Sequence, residues 1–331
     1  MLKSWGPPAK SQLELAREVG ISALWEKGIH GEGITVAVLD SGVNEEVLGV
    51  RLAWKIDLTS DNNPRDLLGH GTEMSKFILG YADRAQIGSI KVIDKCGLVT
   101  REVLIRALEC CVERYPEIRV INISAGIRRR FWRWCWCTHD KPCNLCAMVN
   151  EVADLGLIVV AAAGNLGPGI DTLTCPGNAA GAYTIGASGK FPTSNWGRIL
   201  EKYFPWLYYR LGEGSTGTSV SAALVSGALA ILLSGLPDLK FNEIKEAIGI
   251  TATLLQDGVR EGHYYRAYKL LQHKRLGKPF DPDRAKKHYE TGLQRRSNGE
   301  DKESIEEFEK AVELAPTSFI FYNELGLAYL R

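Results

Sequence analysis

The stretch Ile34-Thr35-Val36-Ala37-Val38-Leu39-Asp40-Ser41-Gly42 carries the clearest fold signal in the chain. Its first six residues are apolar or β-branched without alternation, which is typical of a strand buried on both faces of a parallel sheet. An aspartate follows directly, and the glycine permits a turn. The sequence therefore predicts a buried strand that delivers a carboxylate to the edge of a sheet.

Outward from this strand, apolar runs alternate with helical patterns between residues 31 and 187. The apolar runs cover residues 85–92, 119–124, 157–163 and 183–187, and the helical patterns cover residues 101–114 and 149–155. Such alternation predicts an α/β fold with a doubly wound, mostly parallel sheet. A further helix, rich in alanine and leucine, is predicted to begin near Ser219 and to be buried.

Composition bounds the class of protein. The chain has 331 residues, 45% of them hydrophobic and 24% charged, as in an ordinary globular protein. The 40 lysines and arginines balance 39 acidic residues, so we expect no nucleic acid partner and no attraction to an anionic membrane. The N-terminus lacks a secretory signal and no run approaches about 18 apolar residues, so we expect a cytoplasmic protein that does not enter a membrane.

Three short motifs follow a predicted strand or open a predicted helix. They are Asp40-Ser41-Gly42, Gly69-His70-Gly71-Thr72 and Gly217-Thr218-Ser219. Catalytic groups gather at the carboxyl ends of parallel strands. A serine becomes a strong nucleophile when a histidine accepts its proton and a carboxylate orients that histidine. The sequence therefore predicts a catalytic triad of Asp40, His70 and Ser219.

A fourth segment, Ala161-Ala162-Ala163-Gly164-Asn165, ends another predicted strand at the same edge. Its asparagine amide and the backbone N–H of Ser219 are predicted to donate hydrogen bonds to the oxyanion of an acyl-transfer intermediate. These four segments resemble, in the same order, the signature segments of subtilisin-like serine proteases, and the intracellular members most closely. The resemblance extends from residue 21 to about residue 271.

This resemblance implies a serine endopeptidase that hydrolyses peptide bonds through an acyl-enzyme on Ser219 and needs no cofactor for catalysis. It implies substrate-binding roles for Ser124, Ala125, Gly126 and Gly164, the first three pairing with an extended peptide. It also places Thr174-Cys175-Pro176-Gly177 opposite them in the primary specificity pocket.

Two features leave the function open at this level. Glu73 stands where the family usually has a second histidine, and the segment after the serine departs from the family pattern. The alternative from another class is a catalytically silent subtilisin-like module that binds or scaffolds proteins. Calcium dependence also stays open, because the sequence contains no recognisable calcium loop.

An insertion rich in cysteine and tryptophan, at about residues 128–146, follows the substrate-pairing segment directly. In a reducing compartment its cysteines are thiols or metal ligands rather than disulfides. The predicted ligands of one structural zinc ion are Cys135, Cys137, Cys143 and Cys146, because four thiolates satisfy its tetrahedral preference. Redox-active or merely packed cysteines are the alternatives.

The C-terminal part predicts a small all-α segment. Gly292 and Gly326 lie 34 residues apart, which is the period of tetratricopeptide repeats, and a helical pattern follows each. The predicted domains are an N-terminal extension (1–20), a peptidase domain (21–274), a linker (275–284) and tetratricopeptide-like repeats (285–331), the last incomplete. Because such modules bind protein segments, a regulatory protein partner is predicted besides the peptide substrate.

Overall fold

The computed structural model describes residues 11–127, 137, 141–167, 172–187, 194, 208–209, 217–254, 260–277, 280–316 and 318–329. The chain divides into two compact units. The first comprises Met1–Phe241 and Leu255–Glu261, and the second comprises Asn242–Leu254 and Gly262–Arg331. The finer domain limits that the sequence suggests stay a prediction.

A parallel sheet forms the centre of the first unit. Its strands are β1 (Thr35–Asp40), β2 (Leu52–Asp57), β3 (Gln86–Lys91), β4 (Ile118–Ile123), β5 (Ile158–Ala162), β6 (Ala182–Ala187) and β7 (Tyr208–Tyr209). They lie in the order β2-β3-β1-β4-β5-β6-β7, and all neighbouring pairs are parallel. The chain leaves β1 in one direction for β2 and β3 and then crosses to β4, so the carboxyl end of β1 lies at a topological switch point.

The predicted α/β class is confirmed, and each apolar run singled out in the sequence forms a strand. Strands β1 and β6 are buried along their whole length, as continuous apolar runs predict. Strand β2 was not predicted. It is half-exposed at the edge of the sheet and includes Lys55 and Asp57, so it lacks the uninterrupted apolar run of the other strands.

Helices flank the sheet. Those of the first unit are α1 (Gln12–Glu18), α2 (Ile21–Trp25), α3 (Glu45–Leu48), α4 (His70–Tyr81), α5 (Arg101–Glu113), α6 (Asn144–Asp154) and α7 (Thr218–Gly235). A short 3-10 turn covers Gly49–Arg51. Helix α6 begins five residues before the predicted start, because Leu145 and Cys146 already belong to its buried face.

Helix α7 corrects one expectation from the sequence. It has 18 residues and is apolar enough to cross a membrane, although the sequence suggested that no run approached this length. Because 83% of this helix is buried inside the protein, it is a core helix. Gly227 lets it approach α4 closely, since a Cβ atom there would lie 2.6 Å from the main-chain oxygen of Ile78.

The second unit is mostly helical. Its elements are most of α8 (Phe241–Thr251), β8 (Thr253–Leu254), α9 (Tyr264–Arg275), α10 (Pro282–Ser297), α11 (Asp301–Leu314) and α12 (Phe319–Tyr329), while β9 (Arg260–Glu261) belongs to the first unit. A Cβ atom at Gly292 would lie 2.7 Å from the ring of Phe308, so α10 and α11 are in close contact. Phe308 then packs with Tyr322 and Leu325 of α12. The predicted all-α segment at the C-terminus is confirmed.

Candidate active site

Asp40 lies at the carboxyl end of β1 and is fully buried. Its Oδ1 accepts a hydrogen bond from the N–H of Ser41 and lies 2.7 Å from Nδ1 of His70. Gly71 allows this approach, since a Cβ atom there would lie 3.1 Å from Cβ of Asp40 and closer still to the backbone of Gly42. The structure therefore brings together the first two predicted triad residues through a buried carboxylate that contacts the imidazole.

A second buried carboxylate, Asp66, fixes the start of helix α4 and was missed in the sequence. Its Oδ1 accepts hydrogen bonds from the hydroxyl of Ser41 and the N–H of Gly69, both at 2.8 Å. Its Oδ2 accepts from the N–H and the hydroxyl of Thr72 at 2.8 and 2.7 Å. The sequence signal that could have indicated its role is its position, four residues before His70 and just ahead of a predicted helix.

The surroundings of Asp66 and His70 shift the pKa of each residue toward its charged form. Burial alone would raise the pKa of Asp66, but the hydrogen bonds donated by Thr72, Ser41 and Gly69 lower it below its usual value. Burial alone would lower the pKa of His70, but the hydrogen bond and charge of Asp40 raise it above its usual value, with Glu73 and Asp66 adding to the effect. The imidazolium form of the histidine is therefore stabilised.

Ser219 is the second residue of α7, whose N-cap is Gly217 with a φ of 136°. The hydroxyl of Ser219 donates to the main-chain oxygen of Ser124 at 3.3 Å, and the hydroxyl of Ser124 donates to the main-chain oxygen of Ser219 at 3.2 Å. The first backbone N–H groups of a helix have no acceptor within it, and the helix dipole makes this end positive. The serine thus lies where negative charge on a bound group is favoured.

The side chain of Asn165 is held in one orientation. Its Oδ1 accepts hydrogen bonds from the N–H and the hydroxyl of Thr218, both at 3.1 Å. Because a main-chain N–H can only donate, the oxygen must face Thr218, and the Nδ2 donor lies on the other side of the amide. The N–H of Gly164 donates to the same Thr218 hydroxyl at 3.1 Å.

A cleft of about 220 Å³ collects the other predicted residues. Its lining includes Ser124, Ala125, Gly126, Gly164, Asn165 and Ser219, together with Thr174. Thr174 and Gly126 face each other, since a Cβ atom at Gly126 would lie 2.5 Å from Oγ1 of Thr174. The segment at residues 124–126 and Thr174 are therefore adjoining walls of one cleft, whose lining also includes Ser219.

Four cysteines form a cluster next to this cleft, which we call the thiol cluster. Its members are Cys137, Cys143, Cys146 and Cys175, whose sulfur atoms all lie within 4.8 Å of one another. Cys175 was not among the predicted ligands, because it lies 29 positions after Cys146 in the sequence. Cys135, which was predicted, lies outside the described residues. Four thiolates so close together can hold a metal ion.

The sulfur atoms of the thiol cluster also perturb one another. The hydrogen bond with Cys137 lowers the pKa of the Cys143 thiol and raises the pKa of the Cys146 thiol. The Cys146 thiol is fully buried and Cys143 is partly exposed. These opposite shifts arise because the close sulfur atoms share hydrogen bonds, so that the proton on one sulfur stabilises the thiolate of its neighbour.

An α/β sheet thus carries a buried aspartate paired with a histidine, and a serine at a helix start beside an oriented amide, which are the groups of the predicted triad and oxyanion site. A family model described as the subtilase family matches residues 31–198 and 204–279. The chain belongs to the subtilase family. A tetratricopeptide repeat model matches residues 292–331. Both resemblances suggested by the sequence are confirmed.

Proteases of similar sequence support this family assignment. The chain is 31% identical over 230 residues to a subtilisin-like protease of Coccidioides posadasii, covering 62% of this chain and 53% of that protein. It is 25% identical over 272 residues to the serine protease AprX of Bacillus subtilis, covering 66% of this chain and 61% of that protein. The chain thus spans little more than half the length of these two curated relatives.

One solved structure shows the same fold. The prenylagaramide maturation protease PagA superposes with a TM-score of 0.57 at 22% identity, covering 76% of this chain and 98% of that chain. At this level of identity the likeness concerns the fold of the protein. It agrees with the parallel sheet and flanking helices described for the first unit.

Proposed function

We propose that this protein is a serine endopeptidase that cleaves peptide bonds through an acyl-enzyme on Ser219. The observation that carries the proposal is the 2.7 Å contact between the buried Asp40 carboxylate and the His70 imidazole, at the sheet edge of a subtilase-family chain. The named relatives are described as proteases, which supports the same class of reaction.

Each side chain of the proposed triad has a separate task. The hydroxyl of Ser219 turns from the main-chain oxygen of Ser124 to the imidazole of His70, which accepts its proton as the oxygen attacks the peptide carbonyl. Asp40 stabilises the imidazolium that results, and its burial keeps this interaction strong. The same histidine then returns the proton to the leaving amine.

The developing oxyanion is met by two donors. The backbone N–H of Ser219 belongs to the first turn of α7, and the Nδ2 group of Asn165 is held facing away from Thr218. Both donors are fixed before the reaction, so little reorganisation opposes the rise of negative charge. An extended peptide would pair with the main chain at residues 124–126 and place one side chain in the cleft beside Thr174.

Intact-mass analysis after fluorophosphonate treatment tests the proposed activity. The wild type should gain one label rapidly, and Ser219→Ala should gain none, because the reagent needs an activated serine. The exposed Ser60→Ala is the matched control and should label like the wild type. An unlabelled wild type would reject a constitutively active peptidase and favour the catalytically silent binding module.

We also propose that a protein partner regulates the enzyme through the helical repeats. The tetratricopeptide match and the exposed side chains of Ile320 and Leu327 on α12 support this. The test adds fractionated cell extract that contains the partner and measures the rate of peptide hydrolysis. If the extract changes the rate of the wild type, the rate of Ile320→Asp should not change. Ile250→Asp, on α8, should respond like the wild type. An equal response in both variants would contradict the assignment.

A cytoplasmic location and a structural zinc ion are the remaining parts of the proposal. Sulfur-only ligand sets with tetrahedral spacing are typical of structural zinc. A reducing compartment keeps such cysteines available as thiolates. Cell fractionation tests the location, and recovery of the protein from an oxidising compartment with its cluster cysteines in disulfides would contradict it.

A further inference from the structure

The thiol cluster gathers residues that are distant in sequence. Cys143 is the N-cap residue of α6 and Cys146 lies in its first turn, while Cys175 forms an isolated antiparallel bridge with Ile127. Three of the four side chains are buried to 2% exposure or less. A helix start favours negative charge, which suits thiolates at Cys143 and Cys146.

The spacing of the sulfur atoms fits a tetrahedral metal site. With zinc–sulfur bonds of about 2.3 Å, the corners of a tetrahedron lie about 3.8 Å apart. The Sγ atoms of Cys143 and Cys175 are 3.8 Å apart, and all four sulfurs lie within 4.8 Å of one another. Each of these cysteines offers one sulfur ligand atom, so the cluster has the donor set and the spacing that zinc requires.

Hydrogen-bond donors around the cluster are placed to stabilise thiolate ligands. The N–H of Cys143 donates to Sγ of Cys137 at 3.3 Å, and Nδ2 of Asn178 lies 3.6 Å from the same sulfur. Asn178 is buried, and its Nδ2 also donates to the main-chain oxygen of Cys137 at 2.8 Å. Such outer contacts orient ligands and are common around metal sites.

Cys175 connects the cluster to the cleft. It directly follows Thr174, which lines the cleft, and it pairs with Ile127 by main-chain hydrogen bonds of 2.7 and 3.3 Å. Ile127 in turn directly follows Gly126 on the adjoining wall. A ligand bond to Cys175 would therefore reinforce the pairing of these two adjoining walls, and bonds to Cys143 and Cys146 would fasten the start of α6 to the same place.

We propose that Cys137, Cys143, Cys146 and Cys175 bind one zinc ion that holds the two walls of the substrate cleft in register. The ion is a structural clamp, and catalysis does not pass through it. The effect on peptide hydrolysis rests on the proposed peptidase function, whereas the metal site itself stands on the sulfur geometry.

Zinc analysis of the purified full chain tests the ligand set without reference to activity. The wild type, Cys96→Ser and Cys135→Ser should each hold one zinc ion per chain, and Cys175→Ser should lose it. Cys175→His should recover zinc because imidazole is also a zinc ligand, and this variant guards against simple misfolding. Replacing zinc with cobalt should give the absorption spectrum of a four-thiolate site in the wild type.

Two results would overturn this site. If Cys135→Ser lost the zinc ion and Cys175→Ser kept it, the ligands would be Cys135, Cys137, Cys143 and Cys146, as predicted from the insertion alone. A wild type that contains no zinc and takes up none after reduction would leave a redox or packing role for the sulfurs, and thiol titration would then show whether disulfides form.

Kinetics with and without the metal test the clamp. Removing zinc with a mercurial and a chelator should raise KM for peptides by about tenfold or more, because misplaced cleft walls bind the substrate poorly. Fluorophosphonate labelling of Ser219 should change little, since the small reagent needs only the triad, and added zinc should restore KM. An unchanged KM would reject the clamp, whereas a zinc-loaded chain that does not label would instead reject the peptidase function.

Discussion

Two sides of the cleft are built in different ways. On the catalytic side, Asp40, His70 and Ser219 stand at the ends of a strand and two helices whose packing fixes their positions. On the other side, Thr174 and Cys175 belong to a segment without regular secondary structure that contacts its neighbours through a few hydrogen bonds and through the sulfur of Cys175. The first side is held by the fold itself. On the second side, the proposed metal bound by the sulfurs would add to these hydrogen bonds.

This difference separates the consequences of mutation. A change in the packing of the sheet and helices should disturb the catalytic side and leave metal content unchanged. A change at the sulfurs should disturb substrate binding and leave the reactivity of the serine unchanged. Measuring kcat, KM and zinc content for the same variant therefore shows which side has been altered.

The largest effect is expected from Asn165→Leu, which keeps the approximate size of the side chain but removes its Nδ2 donor together with the Oδ1 acceptor for Thr218. Loss of one fixed oxyanion donor lowers kcat by about 100- to 1,000-fold. KM and zinc content should stay close to the wild-type values, because the donor acts in the transition state. Steady-state kinetics on a peptide substrate provide the measurement.

An effect of Asn165→Leu on KM alone would contradict this prediction. If Asn165→Leu raised KM and left kcat unchanged, the amide would bind the ground state of the substrate and would not be an oxyanion donor. The isosteric Asn165→Asp serves as a second variant, since it keeps the contact surface but places an acceptor where a donor is needed. It should be at least as slow as the leucine variant.

A smaller effect is expected from Gly227→Ala at the crossing of α4 and α7. Alanine normally stabilises a helix relative to glycine by about 0.5–1 kcal/mol. Here the added Cβ atom would lie 2.6 Å from the main-chain oxygen of Ile78, so we expect a loss of about 1–3 kcal/mol in the free energy of unfolding. The histidine helix and the serine helix would move apart, and fluorophosphonate labelling would slow.

Denaturant unfolding and labelling rates measure both parts of this prediction. Zinc content should not change, because the cluster lies away from this crossing on other elements. A stabilised Gly227→Ala variant with normal labelling would show that the two helices can absorb a methyl group. The catalytic side would then be less dependent on close helix packing than the structure indicates.

The positions of Asp40, His70 and Ser219 at strand and helix ends follow from local signals in the sequence, and their catalytic roles stay a prediction. A buried strand, a following carboxylate and glycine-flanked histidine and serine residues can each be recognised within a few positions, and parallel strands bring their carboxyl ends to one edge. Asp66 was missed because a single acidic residue in a polar loop has many uses. Its role in fixing the start of α4 is shown only by the hydrogen bonds that the hydroxyls of Ser41 and Thr72 donate to it.

The ligand set of the thiol cluster was predicted only in part, because one of its members is distant from the others in the sequence. Cys137, Cys143 and Cys146 lie close in sequence, so they were grouped together with Cys135. Cys175 joins them through the pairing with Ile127, which is a contact across 48 positions of the chain. No periodicity or motif in a single sequence reports such a pairing, and a cysteine in the specificity-pocket segment gave no separate signal.

The smallest effect is expected from Glu73→Gln, which removes one negative charge near His70 and keeps the size of the side chain. Burial lowers the pKa of His70, but Asp40 and then the charges of Glu73 and Asp66 raise it above its usual value. Because only the neutral imidazole accepts the serine proton, kcat/KM should fall as pH drops through this raised pKa. Removing the Glu73 charge destabilises the imidazolium, so the acid limb of the pH profile should move to lower pH.

Glu102→Gln on α5 is the matched control, since this exposed glutamate is not among the charges that raise the pKa of His70. Its pH profile should coincide with that of the wild type. An unmoved acid limb in Glu73→Gln would mean that solvent screens the charge. A move to higher pH would contradict His70 as the general base, because loss of a nearby negative charge can only favour the neutral imidazole.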